Sequence, residues 1–391
     1  MLRSLFAGIS GLRAHQQMMD VTANNIANIN TTGFKSSTTT FEDTLSQLVT
    51  AAGAPTANLG GTNPAQVGLG VRLGAISTNF AQGAAQTTGR NTDLMIQGDG
   101  FFVVRDGSQQ LYTRNGAFSF DTNGFLTTTG GAFVQGWKAT NGVVTTTTAP
   151  TDVQLPIGTV LPPSATTTAT VSGNLPTNAS TTTPYTTSIT GYDSLGNPFT
   201  LTTSFTYSST TGWSATVSDG TNTSAAASVT FTNGAAPSPS TLTLNGITVD
   251  ISGVTNYSGA STIATVNQNG YGLGSLQSFS ISQDGMLVGV FSNGLKQTLA
   301  QVCLATFNNP MGLEKVGDSM YQTTANSGTP QLGQAGSGGR GVLQGGALEM
   351  SNVDLAQEFT NLVIAQRGFE ANSKVITTSD ELLQDLVNLK R

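Results

Sequence analysis

Charge is what this sequence has least of. Lys, Arg, Asp and Glu make up 9% of its 391 residues, against about a quarter in an ordinary soluble domain. The net charge of −6 and the absence of any Lys/Arg cluster exclude nucleic acid as a partner, which calls for clustered cations. A single cysteine, Cys303, rules out an intrachain disulfide, and its position in an expected strand from Thr298 to Phe307 marks it as a small core residue. The single histidine, His15, excludes a two-histidine metal site and reads as a polar residue on a helix flank. No uninterrupted apolar run reaches the ~18 residues of a membrane-spanning helix. After Arg3 the apolar run is broken by Gly8, Ser10, Gly11 and Arg13, so no cleavable secretory signal is expected.

What fills the chain instead is Thr, Ser, Asn, Gln and 47 Gly, a vocabulary of strands and turns. The two ends differ from the middle. At the start Leu2, Leu5, Ile9, Leu12, Met19 and Ile26 recur at steps that sum threes and fours. At the finish Leu355, Phe359, Leu362, Phe369, Ile376, Leu383 and Val387 do the same. That spacing predicts helices that pack along one another through an apolar, coiled-coil-like seam. The first helix should end in the Asn-rich stretch before Gly33. The second should begin at Ser351 or Asn352 and run to Lys390 and Arg391, with Gly368 marking a close approach of a neighbouring backbone.

Between the ends the period changes to two. Asn-Gly pairs beginning at Asn115, Asn123, Asn141, Asn233, Asn245, Asn269 and Asn293 predict hairpin turns. A connector rich in Thr, with Pro150, Pro156, Pro162 and Pro163, separates two β-rich stretches, because Pro cannot donate to a ladder. The expected fold is mixed and mainly β: paired terminal helices (1–30 and 352–391), an extended linking segment (31–71), a first β-domain (72–145 and 285–351) and an inserted β-domain (146–284). Nesting of this kind brings the two ends together.

Candidate chemistry is sparse. Asp121-Thr122-Asn123-Gly124 lacks the remaining ligands of a calcium loop and reads as a turn. Gly98-Asp99-Gly100 lacks the third glycine of a dinucleotide site and reads as a strand connection. Asp93, Asp99, Asp106 and Asp121 read as surface carboxylates of hairpins and not as a glycosidase pair. No catalytic residue, metal or cofactor is expected. From the residues alone an assembly subunit and a secreted β-rich carbohydrate-binding or hydrolytic protein both stay open.

The stretch from Ala23 to Lys35, containing Asn24, Asn25, Ala27, Asn28, Thr32, Gly33 and Phe34, resembles the N-terminal signature of the bacterial flagellar rod and hook proteins. Met350 to Leu355 and Gln366 to Asn372 resemble the matching C-terminal signature. Gln97 to Val103 and Tyr112 to Phe118 are similar to strands of that family's body domain. Met1 to Leu5 is similar to the start of distal rod subunits, whereas the size of the insertion and the motif Gly191 to Pro198 are similar to hook subunits. The resemblance implies a homopolymer forming an extracellular helical hook, a flexible joint between motor and filament, with the distal rod as the alternative. It further implies the distal rod, hook cap and hook–filament junction proteins as partners. Export would run through the flagellar secretion apparatus without a cleaved signal, and neither nucleic-acid binding nor membrane insertion would occur.

Overall fold

The computed structural model describes residues 2–55, 60–140, 142–155, 158, 160–179, 181 and 183–388. Pro156, Asn141, Lys390 and Arg391, which carry parts of the turn, connector and helix-end expectations, lie outside the described residues. The architecture is mainly β with one helix at each end, α1 (Leu2–Ala27) and α2 (Leu355–Asn388). Two compact units divide the chain: unit 1 comprises 1–155, 280–288 and 298–391, and unit 2 comprises 156–279 and 289–297. The expected boundary at 146 comes earlier than the observed one. The reason is local: Thr151 and Asp152 pair with Gly136 and Gln135, so the Pro-rich connector is still sewn to the first sheet.

α1 stops where Asn side chains take over from the backbone ladder. Asn28 donates through Nδ2 to the Asn24 carbonyl at 2.9 Å and to Asn24 Oδ1 at 2.7 Å, satisfying acceptors that a helix end leaves open. Gly33 lies six residues beyond Ala27 and does not close the helix. α2 is capped by Asp354, whose Oδ1 accepts from the N–H groups of Ala356 at 2.9 Å and Gln357 at 3.3 Å. Ser351 and Asn352 were the expected caps, and Asn352 is committed elsewhere, as shown below.

The stretch expected as an extended linker from 31 to 71 is a paired β-arm. Strands β1 (Ser37–Asp43), β2 (Ser46–Thr50), β3 (Ala65–Gly68) and β4 (Val71–Thr78) fold back on one another, β1 with β4 and β2 with β3. Thr-rich, Gly-punctuated text hides this pairing because the strands are short and their few apolar residues, such as Leu48 and Val49, do not keep a period of two. The base of the arm is fixed to α1: Val71 N–H donates to Ser10 Oγ at 3.2 Å, and Phe41 meets the His15 ring edge-on at 6.0 Å between centroids.

The body of unit 1 is an antiparallel sheet. Phe101–Asp106 pairs with Gln109–Thr113, Phe133–Thr140 and Leu304–Thr306, and Gln109–Thr113 continues to Met320–Gln322. Phe101, Val103, Tyr112, Trp137, Cys303 and Tyr321 form one buried cluster, which places Cys303 in the core as a packing residue. Burial pushes its thiol up to about 12, so it stays protonated. Smaller ladders join Leu94–Gln97 to Val342–Gly345 and Ala85–Thr87 to Ala347–Glu349, and they deliver the chain to α2.

Unit 2 stacks a four-stranded sheet, in which Thr168–Pro176 runs parallel to Ile247–Tyr257, against a five-stranded meander from Tyr185 to Ser238. Val171, Phe205, Trp213 and Val249 are among the buried residues of their shared core. Asn233-Gly234 and Asn245-Gly246 have positive φ at both residues, the backbone that two-residue hairpins require. Asn115-Gly116 is not a hairpin turn. Gly116 has no positive φ, and a Cβ there would sit 1.7 Å from the Leu94 carbonyl oxygen, so close approach explains the glycine.

Candidate functional site: the junction and the helix pair

The two family-like end motifs meet at a buried polar junction. Lys35 Nζ lies 2.6 Å from Glu349 Oε1, and both side chains are fully buried. Arg114, 3% exposed, reaches Glu349 Oε2 at 3.4 Å through Nη1 and donates to the Gly98 carbonyl at 2.9 Å through Nη2. Lys35 also donates to the Ala81 carbonyl at 2.8 Å, and Gly83 N–H donates to Glu349 Oε1 at 2.9 Å. Burial pulls the Lys35 ammonium and the Arg114 guanidinium below their ordinary values, and the shared Glu349 carboxylate opposes that pull for both. One carboxylate between two cations leaves a buried excess of positive charge.

Backbone contacts close the same knot. Gly33 adopts φ +69° and donates to the Glu349 carbonyl at 2.8 Å, and a Cβ on it would lie 2.5 Å from Asn115 N. Only glycine satisfies both demands. Thr32 Oγ1 bonds Asn115 Oδ1 at 3.0 Å. Asn352 accepts from Ser36 N–H at 2.8 Å and donates to the carbonyls of Asn79 and Ala81. Lys315 Nζ sits 4.9 Å from the centroid of the half-buried Phe34 ring.

A second buried polar contact joins the helices themselves. Asn25 donates to the Ser37 carbonyl at 2.8 Å and to Glu358 Oε1 at 3.1 Å, while its Oδ1 accepts from Ser37 N–H at 3.0 Å. Burial pushes the Glu358 carboxyl above the usual carboxylate range, with hydrogen bonds from Asn25 and Thr22 opposing it.

The seam between α1 and α2 differs from the expected apolar one. Its buried positions on α1 are Gly8, Gly11, Ala14, Thr22 and Asn25, and on α2 they are Glu358, Ala365 and Ser379. Leu5, Ile9, Leu12, Met19 and Ile26 are half-buried beside it, as are Leu362, Ile376 and Leu383. Leu355, Phe359, Phe369 and Val387 point to solvent, with Phe359 50% and Val387 68% exposed. The side chain of Leu2 lies outside the described residues. Of the signature residues, Asn25 and Gly33 are buried, Asn28, Thr32 and Phe34 are half-buried, and Asn24 and Ala27 are exposed.

Small residues form the seam because the helices approach closely. A Cβ on Gly11 would meet the Asn372 amide at 2.7–2.8 Å, and one on Gly368 would meet the His15 ring at 2.4 Å. The close approach expected at Gly368 is therefore made by a ring and not by a backbone. Sequence reasoning also missed Glu349 and Glu358. Each is a lone acid in a weakly charged chain, and its burial depends on cations or amides far away in sequence.

Among the described residues no group of three or more His, Cys, Asp or Glu side chains converges as a metal site, and no helix is long and apolar enough to cross a membrane. The arrangement holds and presents surfaces: an outward apolar helix face, an exposed β-arm and a rigid junction behind them.

Four family models match in register along the chain. "Flagella basal body rod protein" matches residues 5–35, and "Flagellar hook protein FlgE/F/G D1 domain" matches 95–174. "Flagellar basal body protein FlaE D2 domain" matches 160–271, and "Flagellar basal body rod FlgEFG protein C-terminal" matches 344–389. The flagellar hook protein FlgE of Borreliella burgdorferi is 37% identical, with all of both chains aligned. The flagellar basal-body rod protein FlgG of Bacillus subtilis is 34% identical, again over all of both chains. The crystal structure of Helicobacter pylori flagellar hook protein FlgE2 shares the fold at a TM-score of 0.53 and 16% identity, covering 68% of this chain and all of that one.

Proposed function

The chain belongs to the flagellar hook and basal-body rod protein family, and from that premise we propose that it is the hook subunit, a structural protein that polymerises into a flexible tube. The observation that carries the reading is the unsatisfied outer face of the helix pair. Phe6, Phe359, Val363, Ile364 and Val387 are all at least half exposed, on elements whose inner faces are already committed. Large apolar side chains left exposed along both helices offer association surface to neighbouring subunits.

In this reading the helices line the channel of the tube and the apolar positions of the terminal repeats, Leu2 to Ile26 and Leu355 to Val387, pack between subunits. The body of unit 1 forms a middle layer and unit 2 the outside. Complementary patches on different faces of one subunit make contacts that do not close, and so grow a filament. Torque from the motor would pass through the inner contacts while the outer ones slide. The distal rod, the hook cap and the hook–filament junction proteins are the neighbours at its ends. Subunits leave the cell through the flagellar export apparatus. No reaction is assigned to the chain.

A rod reading is favoured by one finding, the full-length match to FlgG. Electron microscopy of the purified polymer separates the two: a curved, supercoiled tube is expected, and a straight one would make this a rod subunit. Deleting residues 1–30 or 353–391 should abolish the polymer while the β units keep their circular dichroism. A soluble carbohydrate-binding activity surviving those deletions would sink the assembly reading.

A further inference from the structure

Within unit 2 a cavity of about 310 Å³ is lined by Tyr192, Phe199 and Ile247 together with Asp193, Asp219 and Asn245. Tyr192 and Asp193 come from the motif Gly191 to Pro198, which no part of the assembly described above employs. Both carboxylates are held by neutral groups. Asp193 Oδ1 accepts from the N–H groups of Leu195 at 2.9 Å and Asn197 at 2.8 Å, and its Oδ2 accepts from Asn197 Nδ2 at 2.9 Å. Asp219 Oδ1 accepts from the N–H groups of Thr221 and Asn222, and its Oδ2 from the side-chain amides of Asn222 and Asn245, both at 3.2 Å. Donation from Asn197 holds the Asp193 carboxyl below the usual carboxylate range, and donation from Asn222 brings Asp219 down to about 2, so both stay ionised. No base answers them. Residues 156–279 contain no Lys, Arg or His, and among the described residues no cation acts on either carboxyl. Both aspartates are partly exposed, so a group entering the cavity reaches them.

We propose that this cavity binds an alkylammonium ion, with the Tyr192 and Phe199 rings as walls for its hydrocarbon and the Asp193 and Asp219 carboxylates as its counter-charge. Aromatic faces attract a cation, and a carboxylate beside them adds a charge-assisted hydrogen bond. Asp193 Oδ2 accepts a single bond, which leaves a lone pair for an ammonium N–H. A bare metal ion fits less well. Among the described residues no third acid, His or Cys joins the two carboxylates, and a small ion would have to displace the amides that hold them. An ammonium head adds to those oxygens while they keep their present partners. Two sources offer that head: a free amine, and a lysine side chain of a second copy, since Lys296 is the only base of unit 2 itself. The site lies within one unit of one chain and stands apart from the polymer reading above.

The test is a titration of the full-length ¹⁵N-labelled monomer with n-butylammonium chloride, against sodium chloride at equal ionic strength. It is read by NMR at the backbone amides of Leu195, Thr221 and Asn245. Those resonances should shift to saturation, while n-butanol, which has the same chain and no charge, should leave them in place. Asp193→Asn keeps an oxygen for the Leu195 and Asn197 N–H groups and should weaken binding about two- to fivefold, the loss expected of one partly exposed charge. Where that variant does not fold, the wild type gives the same reading, because binding should weaken as sodium chloride is added. Equal shifts with n-butanol, no shift with n-butylammonium, or binding indifferent to both Asp193→Asn and salt overturns the site. Assembly separates the two sources. If the head is a neighbour's lysine, n-butylammonium raises the concentration needed for polymerisation; if it is a free amine, that concentration is unchanged. A chain that binds n-butylammonium but forms no polymer overturns the subunit reading and leaves the site standing.

Discussion

The two ends of the chain are held together twice, by means that share little. At the junction, Lys35, Arg114 and Glu349 bury full charges, bond one another and each take one backbone partner, at Ala81, Gly98 and Gly83 respectively. Along the helix pair, glycine and alanine let two backbones approach, and the large apolar side chains are left at the sides or outside. A buried ion triad adds little net stability over a well-packed apolar cluster, but it is strongly position-specific, because each member is costly if displaced. A seam of small residues is close but shallow, with little apolar area buried per turn. The junction therefore fixes where the ends leave the body. The seam leaves the helices dependent on further partners. That division suits a subunit whose helices must be gripped by neighbours while its body stays rigid.

The comparison breaks most sharply at Glu349. Glu349→Ala leaves Lys35 and Arg114 buried with no counter-charge, and should destabilise unit 1 by about 3–5 kcal/mol in denaturant unfolding. A loss under about 1 kcal/mol would mean the triad is dispensable. At the seam a smaller effect is expected, and its sign depends on His15. Gly368→Ala should gain about 1 kcal/mol of helix propensity, but the new Cβ meets the His15 ring. The gain should therefore appear only in a His15→Ala background, and a thermal-unfolding double-mutant cycle reads the coupling.

Glu358 sharpens the contrast through pH. Its folded-state pKa is raised by burial, so the folded chain holds that proton more tightly than the unfolded chain does. The corresponding stability is complete below the ordinary carboxylate pKa and is lost as pH rises through the raised value. Glu358→Gln keeps an acceptor for Asn25 and should flatten this part of the stability–pH curve. An unchanged slope between wild type and variant would remove Glu358 from the account. The smallest effect on the monomer belongs to the outer face. Phe359→Ser should change monomer stability by no more than about 0.5 kcal/mol, while sedimentation shows polymerisation lost. Normal assembly by that variant would assign the outward face no role.

How much was legible in the residues varies with the range of the cause. The helices were, because threes and fours along Leu5, Ile9 and Leu12 report a local period. Asn233-Gly234 and Asn245-Gly246 were, because both residues must take positive φ within two positions. Asn115-Gly116 misled, since that glycine answers to the Leu94 carbonyl and not to a turn. The β-arm was hidden by short strands whose few apolar residues, such as Leu48 and Val49, break the period of two. The apolar repeat of α2 reports a helix longer than α1 can cover, and much of it is exposed in the single chain, because periodicity says that a face is apolar and not which partner covers it.

By itself, then, the sequence determined the element types, the mainly β body, the lack of a disulfide and the membership of its end motifs in one family, all consequences of composition and short-range spacing. Only the tertiary structure decided that Lys35, Arg114 and Glu349 share one buried site and that Gly11 and Gly368 make the seam. It also decided that Phe359 faces outward. These depend on groups brought together across the length of the chain, where burial sets the energy of a charge and contact sets the need for a glycine, and neither is written in local order.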